Sequence, residues 1–134
     1  MLMSHAELLL LGAEAAQRGW IAGDPQVLCH QGIEASMLQH GVAQAAIDDY
    51  LAATTCNTLD EILTQKWIAL FMAGPEAFAE VRRTNIPDLP LATKAVIEVP
   101  PARMPYPADE GLYNSNFAPP ISELNITDPL WWMP

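Results

Sequence analysis

Glu7, Glu14 and Glu34 recur at helical intervals in the first part of the chain. A carboxylate pair can serve general acid–base chemistry, but nothing beside these residues supplies a nucleophile or a partner of defined geometry. Glu14, set between Ala13 and Ala15 on an apolar stretch, is instead expected to be a buried charge. Such a charge requires a cationic partner, for which Arg82, Arg83 and Arg103 are the candidates. His30 and His40 are ten residues apart and Cys29 adjoins His30, without the close C-x2-C or H-x3-H pairs of a zinc site. Ser36 lacks a G-x-S-x-G context, and Cys56 has no legible histidine partner. The glycines make no phosphate-cradling loop. No catalytic residue, metal ligand or cofactor site is therefore assigned, and the chain is expected not to be an enzyme.

The remaining residues suited to recognition are aromatic. A sugar ring or a peptide side chain can rest against a flat aromatic face. Trp20, just past a helix stop, and the adjacent Trp131 and Trp132 are candidate ligand contacts; Trp67 lies mid-helix among apolar neighbours and is expected in the core. Arg82 and Arg83 suit a structural role, their guanidinium forks satisfying carboxylates and loop carbonyls. The same reading applies to Arg103, Tyr106, Glu110 and Asn114, which are expected to clamp the C-terminal segment onto the helical layer.

Composition narrows the class. The 134 residues are about half hydrophobic and carry a formal charge of −10, from six Lys/Arg against sixteen Asp/Glu. Such an excess of negative charge repels phosphate backbones, so nucleic acid is not an expected partner. No run approaches the ~20 apolar residues of a membrane-spanning helix. The opening Met1-Leu2-Met3-Ser4 carries no basic leader, cleavage site or lipid-acceptor cysteine. Cys29 and Cys56 are expected to be buried free thiols, with a disulfide as the alternative.

Proline divides the chain into the elements that must position these residues. Only Pro25 and Pro75 precede residue 87, whereas ten prolines follow from Pro87 onward. Proline inside a helix costs about 3 kcal/mol, so residues 1–86 can be helical and 87–134 cannot. The first helix is predicted from Ser4 to Arg18, with a Ser4/Glu7 capping box and a stop at Gly19. The second opens at Asp24-Pro25 and ends near Gly41, with Cys29, Ile33 and Met37 inward. The third, Val42 to about Ala53, should bury Ala46, Ile47, Tyr50 and Leu51. A Thr58/Glu61 box starts the fourth, which is expected to reach Met72 with Leu63, Trp67, Leu70 and Phe71 inward. The fifth, Pro75–Thr84, should turn Phe78 and Val81 to one side and stop at a left-handed Asn85. The expected fold is mainly α: antiparallel, tetratricopeptide-like hairpins followed by a long irregular proline-rich segment of the same domain. That segment holds one plausible strand, Val96–Val99. Its Ile97, Val99, Met104, Tyr106, Leu112, Tyr113, Phe117, Ile121 and Leu124 imply that it packs on the helices.

Several stretches, taken in order, carry a family likeness. They are A-E-L-L-L-L-G-A-E-A-A-Q-R-G-W at Ala6–Trp20, G-I-E-A-S-M at Gly32–Met37, T-Q-K-W-I-A-L-F at Thr64–Phe71 and R-R-T-N-I-P at Arg82–Pro87. The spaced set Pro101, Arg103, Tyr106, Pro107, Glu110 and Asn114 follows. Together they resemble the C-terminal part of SusD/RagB-type nutrient-binding lipoproteins. The resemblance implies a fragment of a longer surface lipoprotein of the outer membrane, whose missing part would carry the targeting signal. It further implies non-catalytic binding of an oligosaccharide or a peptide and delivery to a TonB-dependent, SusC-like transporter. Asn85 replaces a family glycine, and both tolerate positive φ. A rival reading is a helical adaptor that takes a protein partner in a groove between hairpins.

Overall fold

The structure, a computed structural model, describes residues 3–107, 109–117 and 125–134. Six helices follow in order: α1 (His5–Gln17), α2 (Pro25–Gln39), α3 (Gln44–Ala53), α4 (Leu59–Ala69), α5 (Gly74–Thr84) and the short α6 (Glu110–Tyr113). Local chemistry sets their limits. The Ser4 hydroxyl accepts from the Glu7 N–H while the Glu7 carboxylate accepts from the Ser4 N–H, and Thr58 and Glu61 repeat the box at α4. Asp24 caps α2 ahead of Pro25. Gly19, at φ 73°, and Asn85, at φ 57°, supply the left-handed stops after α1 and α5, a conformation that glycine and asparagine adopt most readily.

Two compact units result, Met1–Asp88 and Leu89–Pro134. In the first, α1 packs most extensively on α2 and then on α4, while α2 also meets α3 and α4. The α1–α2 hairpin is close because Gly32 has no side chain: a Cβ there would lie 2.6 Å from Leu10 Cγ and 3.3 Å from the Ala6 carbonyl. The core gathers Leu10, Ala13, Cys29, Ile33, Cys56 and Ile62, with Leu28, Met37, Leu51 and Ala69 against it. Helices of 10–15 residues draw their stability from this shared face rather than from propensity.

Several sequence expectations need correcting. Cys29 and Cys56 are joined as a disulfide, not left as free thiols. Both are buried as expected, but a separation of 27 residues hides that α2 passes beside the α3–α4 loop. α4 stops at Ala69, and Phe71 and Met72 emerge on the following turn, 68% and 86% exposed. On α3 only Ile47 is fully buried; Ala46 and Tyr50 face outward because α3 meets the layer along a narrow strip. Phe78, Val81 and Trp67 are half-buried.

The second unit is irregular apart from α6, and among the described residues it contains no strand. Val96–Val99 forms a run of bends instead, with Val96 fully exposed. Among the described residues no strand is at hand to pair its backbone. Ala102 is buried, and its N–H and that of Arg103 both donate to the Ile126 carbonyl. Of the apolar residues expected to be covered, Ile97 and Phe117 are half-buried, whereas Val99, Met104, Tyr106, Leu112 and Tyr113 are exposed. Ile121 and Leu124 lie outside the described residues.

Candidate functional site

Glu14 on α1 is the centre of a cross-helix ion cluster. Arg83 on α5 grips it with both terminal nitrogens, Nη1 to Oε1 and Nη2 to Oε2 at 2.7 Å each. Lys66 on α4 lies between two carboxylates, its Nζ 3.0 Å from Glu80 Oε2 and 3.4 Å from Glu14 Oε2. Arg83 also donates to Glu80, at 2.7 and 3.3 Å, and Arg18 Nε to Glu14 at 3.0 Å. The side chains of Glu14, Lys66 and Glu80 are only 4–5% exposed. Burial by itself would raise the Glu14 pKa; the Arg83 hydrogen bonds and the Lys66 charge outweigh it and hold the carboxyl below its ordinary range. The same pairing raises the Arg83 pKa further.

This arrangement has a clear chemical meaning. Both carboxylates are faced by cations in close, charge-assisted geometry. Among the described residues no buried side-chain nitrogen or oxygen lacks a partner. The cluster staples α1, α4 and α5 together.

Of the three arginines considered for Glu14, Arg83 is the one that reaches it. Arg82 lies over the Phe78 ring at 4.1 Å, with Nε donating to the Phe78 carbonyl. Sequence reasoning missed Arg18, Lys66 and Glu80. Two left a signal, since Arg18 stands four residues after Glu14 and Glu80 three before Arg83. Lys66 left none: it is a lysine in an apolar run whose charge is met only in three dimensions.

The other selected residues are local in their contacts. Arg103 lies over the Tyr106 ring at 5.2 Å, and Tyr106 meets Phe117 edge-on. The Asn114 side chain donates to Glu110 at 2.8 Å. His30 Nε2 hydrogen-bonds the Thr54 carbonyl, and His40 meets the Phe71 ring edge-on. Among the described residues no group of three His, Cys, Asp or Glu side chains could hold a metal ion.

Two surface features of the helical unit remain. Trp20 is 70% exposed, and the Arg18 guanidinium lies over its ring at 5.2 Å. A groove of about 210 Å3 opens between α2, α3 and α4, walled by Ile33, Met37, Tyr50 and Ile68. At its edge Gln65 Nε2 donates to the Tyr50 hydroxyl at 3.0 Å. Ser36 also lines it. Trp131 is almost wholly exposed and Trp132 half-buried. No helix among the described residues is long and apolar enough to cross a membrane.

Comparison with known proteins places this architecture. Among curated proteins none matches the chain. Two solved structures superpose on it with a TM-score of 0.82. A Bacteroidetes SusD-like protein, AC2a, is 29% identical over 99% of this chain and 30% of its own. A chitin-binding protein is 34% identical over 96% of this chain and 32% of its own. The chain thus spans about a third of the length of either relative. The profile of a SusD-like family, described as starch-binding and associating with the outer membrane, matches residues 1–107. That match takes in all five helices of the first unit, and the chain belongs to this SusD-like family.

Proposed function

We propose that this chain is part of a cell-surface protein that captures an oligosaccharide and passes it unchanged to a TonB-dependent, SusC-like transporter in the outer membrane. The carrying observation is the family match over residues 1–107, joined by 34% identity to a chitin-binding protein. The geometry agrees with a holder rather than a reactor: buried Glu14 and Glu80 are paired with Lys66 and Arg83, and buried Glu7 is engaged in the helix cap of α1. Glycan is the favoured cargo and peptide the alternative.

Titration calorimetry of the chain with chitohexaose and maltohexaose tests the reading, with chromatography of the recovered sugars. Binding of at least one glycan with no shortening of either is expected. Cleaved product, or a peptide bound where both glycans are refused, contradicts it. The apolar groove between α2 and α4 is the observation that favours an adaptor instead. That reading predicts that an Ile68→Glu substitution abolishes association with a purified helical partner while leaving glycan binding intact.

A further inference from the structure

We infer that the Trp20 indole and the neighbouring Arg18 guanidinium form a subsite for one pyranose ring of a glycan, an inference that rests on the carbohydrate-binding reading above. Three observations converge on this pair.

The first is the unusual exposure of a rigidly presented ring. Tryptophan is highly buried on average, yet Trp20 is 70% exposed. It is not on a loose segment. The Gly19 N–H donates to the Ala16 carbonyl and the Trp20 N–H to the Ala15 carbonyl, with Gly19 left-handed at φ 73°. These paired bonds are the Schellman termination of α1, in which the residue at this position ordinarily tucks back onto the helix. Here it holds a large apolar face out to water.

The second is what backs the ring. Arg18 lies over the indole at 5.2 Å, and its Nε is bound to buried Glu14 at 3.0 Å. Glu14 is gripped in turn by Arg83 and Lys66. The guanidinium that steadies the platform is thereby anchored to the ion cluster inside the helical layer. A ring ordered before the ligand arrives forfeits less entropy on binding.

The third is the chemistry left available. Only Nε of Arg18 is engaged by Glu14, and its terminal amino groups make no hydrogen bond to the described residues. The side chain is 31% exposed. An apolar plane beside free N–H donors matches a pyranose, which shows C–H groups on one face and hydroxyl or acetamido oxygens around its rim. Ile21, 49% exposed, extends the apolar surface. Arg18 acts as both donor and positioning residue; Trp20 makes the stack.

The test compares the full chain with W20A, W20F, R18K and R18Q by calorimetry against chitohexaose and maltohexaose. Trp20→Ala is expected to weaken the glycan that binds by about tenfold or more, the loss of one good aromatic contact. Trp20→Phe should restore most of the affinity, which a merely structural role for the indole would not require. Arg18→Gln should weaken binding, with Lys recovering part of it. Tryptophan oxidation by N-bromosuccinimide, located by peptide mass, gives a readout free of folding effects: bound glycan should protect Trp20 in the wild-type chain. If the wild type binds and W20A binds as tightly, or if Trp20 is oxidised equally with and without glycan, the subsite is overturned while the carbohydrate reading stands. If the wild type binds neither glycan, both fall together.

Discussion

At Glu14, three guanidinium nitrogens, two from Arg83 and one from Arg18, and one ammonium group meet a single carboxylate that solvent barely reaches. Removing that charge strands the cations. Glu14→Gln keeps the shape but leaves Lys66 and Arg83 with Glu80 alone, and breaking such a buried pair typically destabilises by about 3 kcal/mol or more. Urea unfolding at neutral pH should show a loss of that order. The pH dependence follows from the same group. Its folded-state pKa lies below its ordinary value of 4.5. The stabilisation is therefore complete above that value and disappears as pH falls through the lower folded-state pKa. Wild-type stability should drop more steeply than that of E14Q on acidification from about pH 4.5, and parallel curves would refute the assignment. The need for a cationic partner was legible from Glu14's apolar setting. Lys66 was not, because a lysine in T-Q-K-W-I-A-L-F is compatible with a solvated face until two carboxylates from other helices are found beside it.

Helix limits were legible wherever a side chain closes them. Ser4/Glu7, Asp24-Pro25, Thr58/Glu61, Gly19 and Asn85 all stand where hydrogen bonding or positive φ requires those residue types. What periodicity did not reveal was which face each helix buries. Outward Tyr50 stands one turn from inward Ile47 on α3, and only the placement of neighbouring helices separates them. Phe71 turns outward because α4 has already ended at Ala69. Val96–Val99 has β-branched character but no partner for its backbone groups, and local preference without pairing does not make a strand. The α1–α2 contact gives the element-scale prediction. A methyl at Gly32 would press on the branching carbon of buried Leu10, not on a movable chain end. Gly32→Ala should therefore lower stability by about 1–2 kcal/mol despite alanine's better helix propensity. The urea midpoint should fall with an unchanged slope; an unaltered midpoint would mean that the two helices can separate without penalty.

Across the whole molecule, the family match takes in the helical unit, and the chain spans about a third of the length of either solved relative. Within that layer the Cys29–Cys56 bridge ties α2 to the loop before α4, beside the His30–Thr54 hydrogen bond and the Gln17–Asn57 contact. Replacing both cysteines by alanine should lower stability by about 3 kcal/mol, from the release of a 27-residue loop in the unfolded chain. Calorimetry of the double variant beside the oxidised parent measures it. The bridge also constrains how the molecule is made. Both sulfur-bearing residues are at most 1% exposed, so an oxidant or a partner thiol meets them only while the helices are still apart. Electrons must leave during biogenesis. A batch folded first under reducing conditions would seal its thiols inside and resist later repair by air, whereas material secreted through an oxidising space would acquire the link before the layer shuts.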